Sequence, residues 1–244
     1  MDKDLKSKTY CALLELVTAY GQQPFVAKYL FSFIHRMNVA AVEDVTPLSK
    51  AFRRRLTDDG YRIGGLELLE THNDPDGTVK FVFMIGGGGR IEAVRLQDGD
   101  RYTLCLSTQA GCRMGCRFCA TGQLRYQRNL TAGEIVDQLY AAELHNGRIS
   151  NVVYMGMGEP LDNFEAVMRS VRILNDTNGR HVGMRHITIS TCGLPEPIRQ
   201  LAAGELQPRL AVSLHAPNDR IRQTLMRVAA RYPLGDIMAA LKAY

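Results

Sequence analysis

The chain has 244 residues, 45% hydrophobic and 23% charged, the balance of a soluble globular protein with enough length to bury a substantial core. No apolar run approaches the ~20 residues of a membrane span, and the opening MDKDLKSKTY lacks the apolar core of a signal peptide, which points to the cytoplasm and away from membrane partners. Net charge is +5, and 23 of the 30 basic residues are arginine, whose planar fork suits phosphate; a nucleic-acid partner and a solvated basic surface fit this equally.

Residues 8–60 predict three helices, KTYCALLELVTAYG, PFVAKYLFSFIHRMN and PLSKAFRRRLTDDG, each with apolar residues at i, i+3, i+4 spacing. The second and third open on proline, and the first and third close on glycine. Two strand-like runs follow, 78–85 (TVKFVFMI) and 90–96 (RIEAVRL), joined by Gly86–Gly89. Four glycines resemble a phosphate cradle, but no helix follows to complete one, so the stretch reads as a hairpin turn. From residue 102 the pattern becomes strand, loop, helix, repeated. Strands are predicted at 102–107, 151–157, 186–191 and 209–214, and helices near 131–145, 163–175, 195–203, 219–229 and 234–243. This alternation predicts parallel βα units in an open sheet or a barrel.

The four strands are followed by the cysteine stretch GCRMGCRFCATG, then GMGEP, STCG and SLHAPND. Parallel α/β folds put their sites at the carboxyl ends of strands, so four polar or glycine-rich loops there predict one composite pocket. Three cysteines, Cys112, Cys116 and Cys119, stand at C-x3-C-x2-C spacing, and in a reducing compartment they suggest metal ligands or catalysts rather than disulfides. Zinc prefers four ligands, and Cys105 could supply the fourth. Cys105 lies inside a predicted strand, however, while the other three lie in the loop beyond it. Three thiolates suit a 4Fe–4S cluster with one iron left open.

This spacing, with Phe118 before the last cysteine and a strand directly upstream, resembles the radical S-adenosylmethionine superfamily. Within it the chain resembles the RlmN/Cfr family of RNA adenine methyltransferases, through LCLSTQAGCRMGCRFCATG, RNLTAGEIVDQL, YMGMGEPLDN, ITISTCG, AVSLHAPND and the N-terminal QPFVAKYLFSFIH. The resemblance implies an α/β fold: a partial radical-type (βα) barrel over 76–244 with a leading β-hairpin, preceded by a helical accessory, RNA-binding domain over 1–75. It implies a 4Fe–4S cluster and S-adenosylmethionine as cofactors, and methylation of carbon 2 of adenine in ribosomal RNA, with transfer RNA as a second candidate. Its partners would be that RNA and a reductant such as flavodoxin or ferredoxin, with the protein itself a monomer. Carbon 2 of adenine is an electron-poor C–H and cannot displace a methyl group. The family chemistry therefore methylates a protein cysteine and generates a 5′-deoxyadenosyl radical that takes hydrogen from that methylthioether. The carbon radical then adds to adenine, and a second cysteine resolves the adduct as a disulfide forms.

By the same resemblance Cys112, Cys116 and Cys119 match the cluster ligands, and Cys105 the resolving cysteine. Gly158 and Glu159 match the contact to the cofactor's amino group, and Ser190, Ser213, Leu214 and His215 further cofactor contacts. Glu92 matches the proposed proton acceptor. It shares strand parity with Val94 and Leu96, and apolar neighbours there would raise its carboxyl pKa. Cys11 reads as a core residue on an apolar helical face, and Cys192 as a packed thiol near the cofactor pocket. Arg125 stands where the family usually has glycine, which would alter the local turn. The 244 residues contain no counterpart of the family's downstream asparagine or its C-terminal methyl-carrying cysteine. The ending reads as a truncation rather than a shortened relative, and the chain alone is expected not to methylate RNA. Two other readings remain open from the residues themselves, a radical enzyme with a different substrate and a zinc-stabilised RNA-binding module.

Overall fold

The computed structural model describes residues 3–244, and it begins with three helices, α1 (Tyr10–Ala19), α2 (Phe25–His35) and α3 (Lys50–Asp58). Two carry side-chain caps: the Thr9 hydroxyl accepts from Ala12 N–H at 3.3 Å, and the Ser49 hydroxyl from Phe52 N–H at 3.2 Å. Each satisfies an amide that a first helical turn leaves open. Cys11 is exposed rather than core; the apolar face of α1 is carried by Leu13 and Val17, both fully buried. The difference is one of angular position, since Cys11 lies off the stripe that those two define.

Next come β1 (Glu67–Asn73), β2 (Val79–Met84), β3 (Arg90–Asp98) and β4 (Arg101–Cys105), each antiparallel to the one before. The four glycines form the β2–β3 turn, with Ile85 N–H donating to Gly89 O at 2.9 Å and Gly87 and Gly88 at φ of +88° and +90°. β1 was not legible in the sequence because it is an edge strand with mostly exposed side chains and no alternating pattern. The boundary expected between 75 and 76 therefore falls in the tight β1–β2 turn, inside one antiparallel sheet.

Beyond β4 the chain forms a short ribbon, β5 (Gln109–Ala110) with β6 (Arg128–Asn129), enclosing the cysteine loop and one helical turn, α4 (Ala120–Gln123). Then follow α5 (Ala132–Asn146), β7 (Asn151–Tyr154), α6 (Phe164–Asn175), β8 (Ile187–Thr191), α7 (Pro195–Ala202), β9 (Arg209–Val212), α8 (Asp219–Leu225) and α9 (Leu234–Leu241). Among the described residues, seven strands form one sheet in the order β1-β2-β3-β4-β7-β8-β9, with β4, β7, β8 and β9 parallel. The outcome is the expected α/β architecture, a parallel half with helices between its strands and an antiparallel extension on one side.

Alternation along the strands sorts the sheet into two faces. Ile91, Ala93, Leu104, Val152, Tyr154, Ile187 and Ile189 are buried on one. Glu92, Val94, Cys105, Val153, Thr188 and Ser190 share the other, as the register pairs Val94 with Cys105, Cys105 with Val153, and Val153 with Thr188. That second face is only partly covered.

The helical region is joined to the sheet by buried polar contacts rather than by a free linker. Lys6 forms an ion pair with Asp137 of α5, both nearly fully buried, and the other Asp137 oxygen accepts from Leu66 N–H at 2.5 Å. Asp4 accepts from Gly64 N–H at 2.8 Å, Ser7 Oγ accepts from Gly133 N–H at 2.9 Å, and His35 Nδ1 meets the Tyr140 hydroxyl at 2.9 Å. No helix among the described residues is long and apolar enough to cross a membrane.

Candidate active site

At the carboxyl ends of β7, β8 and β9 a cavity of about 260 Å³ opens, lined by residues from all four predicted loops. Cys112, Cys116 and Cys119 come from the cysteine loop, Gly158 and Glu159 from GMGEP, Ser190 and Cys192 from STCG, and Ser213 and His215 from SLHAPND. Leu214 lies between two lining residues but does not itself line the cavity.

The loops are held by their own backbone chemistry. Gly158 has φ of +100°, and a Cβ there would come within 2.6 Å of Gln109 Cβ, so only glycine fits. Gln109 was not legible as a site residue, yet its side chain ties three loops together. Its carbonyl accepts from Glu159 N–H at 2.9 Å while its amide donates to Asn129 at 2.9 Å and Asp162 at 2.7 Å. The cysteine loop is pinned from the far side, where Arg117 N–H donates to Leu225 O at 2.9 Å and Cys116 forms a β-bridge to Met226. Arg125 is exposed with no positive φ, so the turn needs no glycine there; its carbonyl instead packs against Gly111, where a Cβ would sit 2.4 Å away.

Glu159 is the buried carboxylate of the cavity, 4% exposed. Its Oε1 accepts from Leu161 N–H at 3.0 Å and its Oε2 from Cys192 N–H at 2.8 Å. Burial pushes its carboxyl up, and these donated bonds pull against that. An arriving ammonium group would favour the ionised form further. Burial, with the Glu159 charge beside it, pushes the Cys192 thiol far above the usual range, so it stands as a neutral packed group. Opposite, the exposed Phe118 ring lies 4.4 Å from the His215 ring, and His215 holds a left-handed φ of +57° that costs about 1 kcal/mol or more in a non-glycine residue.

Besides Leu214, two predicted residues lie outside the cavity. Cys105 is half-buried at the end of β4, where burial pushes its thiol up. Glu92 lies on the same sheet face but not in the apolar setting expected of it. It is about half exposed, pairs with Lys80 at 3.3 Å, and lines a separate cleft with Glu70, His72 and Arg90. Strand parity gave the direction of its side chain correctly; its direct cross-strand partner is Val82, but Glu70 beyond Val82 and Lys80 one pair along make that face polar as well as apolar.

A family model of the radical SAM superfamily matches residues 106–244. A probable dual-specificity RNA methyltransferase RlmN of Thermosynechococcus vestitus is 42% identical over 98% of this chain and 70% of its own length. Its counterpart from Gemmatimonas aurantiaca is 43% identical over 94% of this chain and 64% of its own length. The chain belongs to the RlmN family. A crystal structure of a radical SAM methyltransferase from Sphaerobacter thermophilus superposes with a TM-score of 0.88 at 40% identity, over 97% of this chain and 71% of that one. The chain thus spans about two thirds of the length of these relatives.

The cofactors of this RlmN-family chain are a 4Fe–4S cluster and S-adenosylmethionine, and the cavity fits both. Cys112, Cys116 and Cys119 face one cavity from a single loop, a donor set that would give three irons of a cluster one thiolate each and leave the fourth open. Burial pushes the Cys112 thiol up to about 11 and Cys116 also up, with the Arg222 charge working against the latter shift. Iron bound by these thiols would invert this balance, because a coordinating thiol is deprotonated outright.

Proposed function

We propose that this protein is a radical S-adenosylmethionine methyltransferase acting on carbon 2 of adenine in ribosomal RNA and transfer RNA. The reading is carried by one observation: the three thiols of the cysteine loop, a buried carboxylate and two serines from separate βα loops share a single cavity. In this reading Cys112, Cys116 and Cys119 hold the cluster. Glu159 and the backbone at Gly158 hold the cofactor's amino group, while Ser190, Ser213, Leu214 and His215 bound the rest of it. When bound, the cluster and S-adenosylmethionine supply reductive cleavage and the radical that activates the methyl group.

The protein's part is position and exclusion of water. Glu159 presents a carboxylate fixed by two backbone donors, so it binds an ammonium without reorganising. Phe118 and His215 supply apolar and aromatic surface at the mouth, suited to a purine ring. Cys105 and Glu92 share a sheet face, and they are assigned as resolving thiol and proton acceptor. Because burial keeps Cys105 as a neutral thiol, it becomes a nucleophile only when a base takes its proton. The protein acts as a cytoplasmic monomer and takes its electron from a reductant such as flavodoxin or ferredoxin.

The test is incubation of anaerobically reconstituted protein, joined to the family's C-terminal segment that bears the methyl-carrying cysteine, with methyl-labelled S-adenosylmethionine and unmodified ribosomal or transfer RNA, followed by nucleoside chromatography. Label in 2-methyladenosine is the expected result. Formation of 5′-deoxyadenosine with no labelled adenosine from either RNA would assign the chain to a different radical reaction.

A further inference from the structure

Among the described residues, Arg222 is the largest fully buried side chain, at 0% exposure. Its sequence context, NDRIRQTL, gives no warning of this: on a short helix an arginine normally lies on the solvated face. One terminal nitrogen donates to Cys192 O at 2.5 Å and another to Tyr232 O at 3.0 Å, while Nε has no partner. Among the described residues no carboxylate forms an ion pair with it. Glu159, the buried acid of the cavity, connects to it only through the Cys192 backbone, whose N–H donates to Glu159 and whose carbonyl accepts from Arg222.

A buried, unpaired guanidinium is costly, and folded proteins keep such charges only against an opposite one. Where it sits supplies the candidate. Met226 N–H donates to Arg222 O at 2.8 Å, and Met226 is bridged to Cys116. Met226 and Cys192, the two residues that flank Arg222 in this network, both line the cavity with Cys112, Cys116 and Cys119. A cluster bound by three thiolates is net negative, and its reduction adds one further negative charge.

We propose that Arg222 is the buried counter-charge of the iron–sulfur cluster, raising its reduction potential and holding the cysteine loop and the STCG loop against each other. The proposal rests on the cluster assignment above and concerns a residue that touches neither substrate nor iron, so Arg222 is a positioning and tuning residue. A fixed cation in a low-dielectric site stabilises the more negative, reduced cluster, and cluster potentials follow net charge, hydrogen bonding and exposure.

The test compares wild-type protein with Arg222→Lys, which keeps the charge, and Arg222→Gln, which keeps a donor but not the charge. Iron content and an EPR-monitored redox titration without RNA are the readouts. With iron retained, Arg222→Gln should show at least a tenfold lower ratio of reduced to oxidised cluster at a fixed potential, a shift of about 59 mV for one electron. Arg222→Lys should lie near wild type. An unchanged midpoint in an iron-replete Arg222→Gln protein overturns the proposal. If Arg222→Gln cannot hold iron, retention by Arg222→Lys supports the role of charge. Equal iron loss in both variants shows that shape alone matters and overturns it. Failure of the cluster assignment is distinguishable, since wild-type protein would then hold no iron.

Discussion

Alanine at Cys112, Cys116 or Cys119 removes a thiol that faces the cavity, and each variant should lose its cluster and all cleavage of S-adenosylmethionine. Iron should fall from about four per chain to background, measured by colorimetric iron analysis after anaerobic reconstitution. Cys105→Ala is expected to behave oppositely, keeping its iron and forming 5′-deoxyadenosine, because Cys105 lies in β4 outside the cavity lining. Iron loss in that variant would make Cys105 a ligand. Glu159→Gln tests the buried carboxylate. Both its oxygens accept from backbone N–H groups, so an amide would set one donor against another at a cost of about 1–3 kcal/mol. Affinity for S-adenosylmethionine should drop at least tenfold, about 1.4 kcal/mol, in equilibrium dialysis. Wild-type affinity would remove Glu159 from the cofactor site.

At the level of elements, α5 is the helix on which the site's scaffold depends, since it follows the cysteine loop and carries Asp137, Gln138 and Tyr140 to buried partners. Its start is fixed by a reciprocal cap. The Thr131 hydroxyl accepts from Glu134 N–H at 3.2 Å, and Glu134 accepts from Thr131 N–H at 2.9 Å while taking a two-pronged Arg128 pair at 2.7 and 2.8 Å. Thr131→Ala should lower stability by about 1 kcal/mol in urea unfolding, with iron content unchanged. Neither the cap nor Arg128's part in it was read from the sequence; Arg128 approaches from the ribbon strand β6, a two-residue element without any periodic signal.

For the whole molecule, the join between the helical region and the sheet has an acid-sensitive member. Burial, helped by the Lys6 charge, lowers the His35 pKa from 6.5 to about 3. The unfolded chain takes up this proton below pH 6.5 while the folded chain does not. His35 therefore contributes its full stability above that pH and loses it as pH falls toward 3, at about 1.4 kcal/mol per pH unit. The stability difference between wild type and His35→Gln should shrink or reverse by that amount between pH 6 and pH 5, read from urea midpoints. A difference independent of pH would mean that His35 is protonated or solvated in the folded protein.

The sequence by itself determined the longer elements and their order, though not β1, β5, α4 or β6, because helical and strand periodicity and the glycine turn at 86–89 are local chemistry. It also determined that Cys112, Cys116 and Cys119 belong to a loop and Cys105 to a strand, since short spacing and strand pattern are both local. Tertiary structure alone decided which sheet face the helices cover, and with it the polar, half-open surroundings of Glu92. Only the fold could bury Arg222, whose partners Cys192 and Tyr232 lie 30 and 10 residues away along the chain. It alone brought Gln109 to Glu159, a separation of 50 residues. Such contacts leave no trace in composition or periodicity, because a polar side chain looks the same in sequence whether water or a distant peptide group satisfies it.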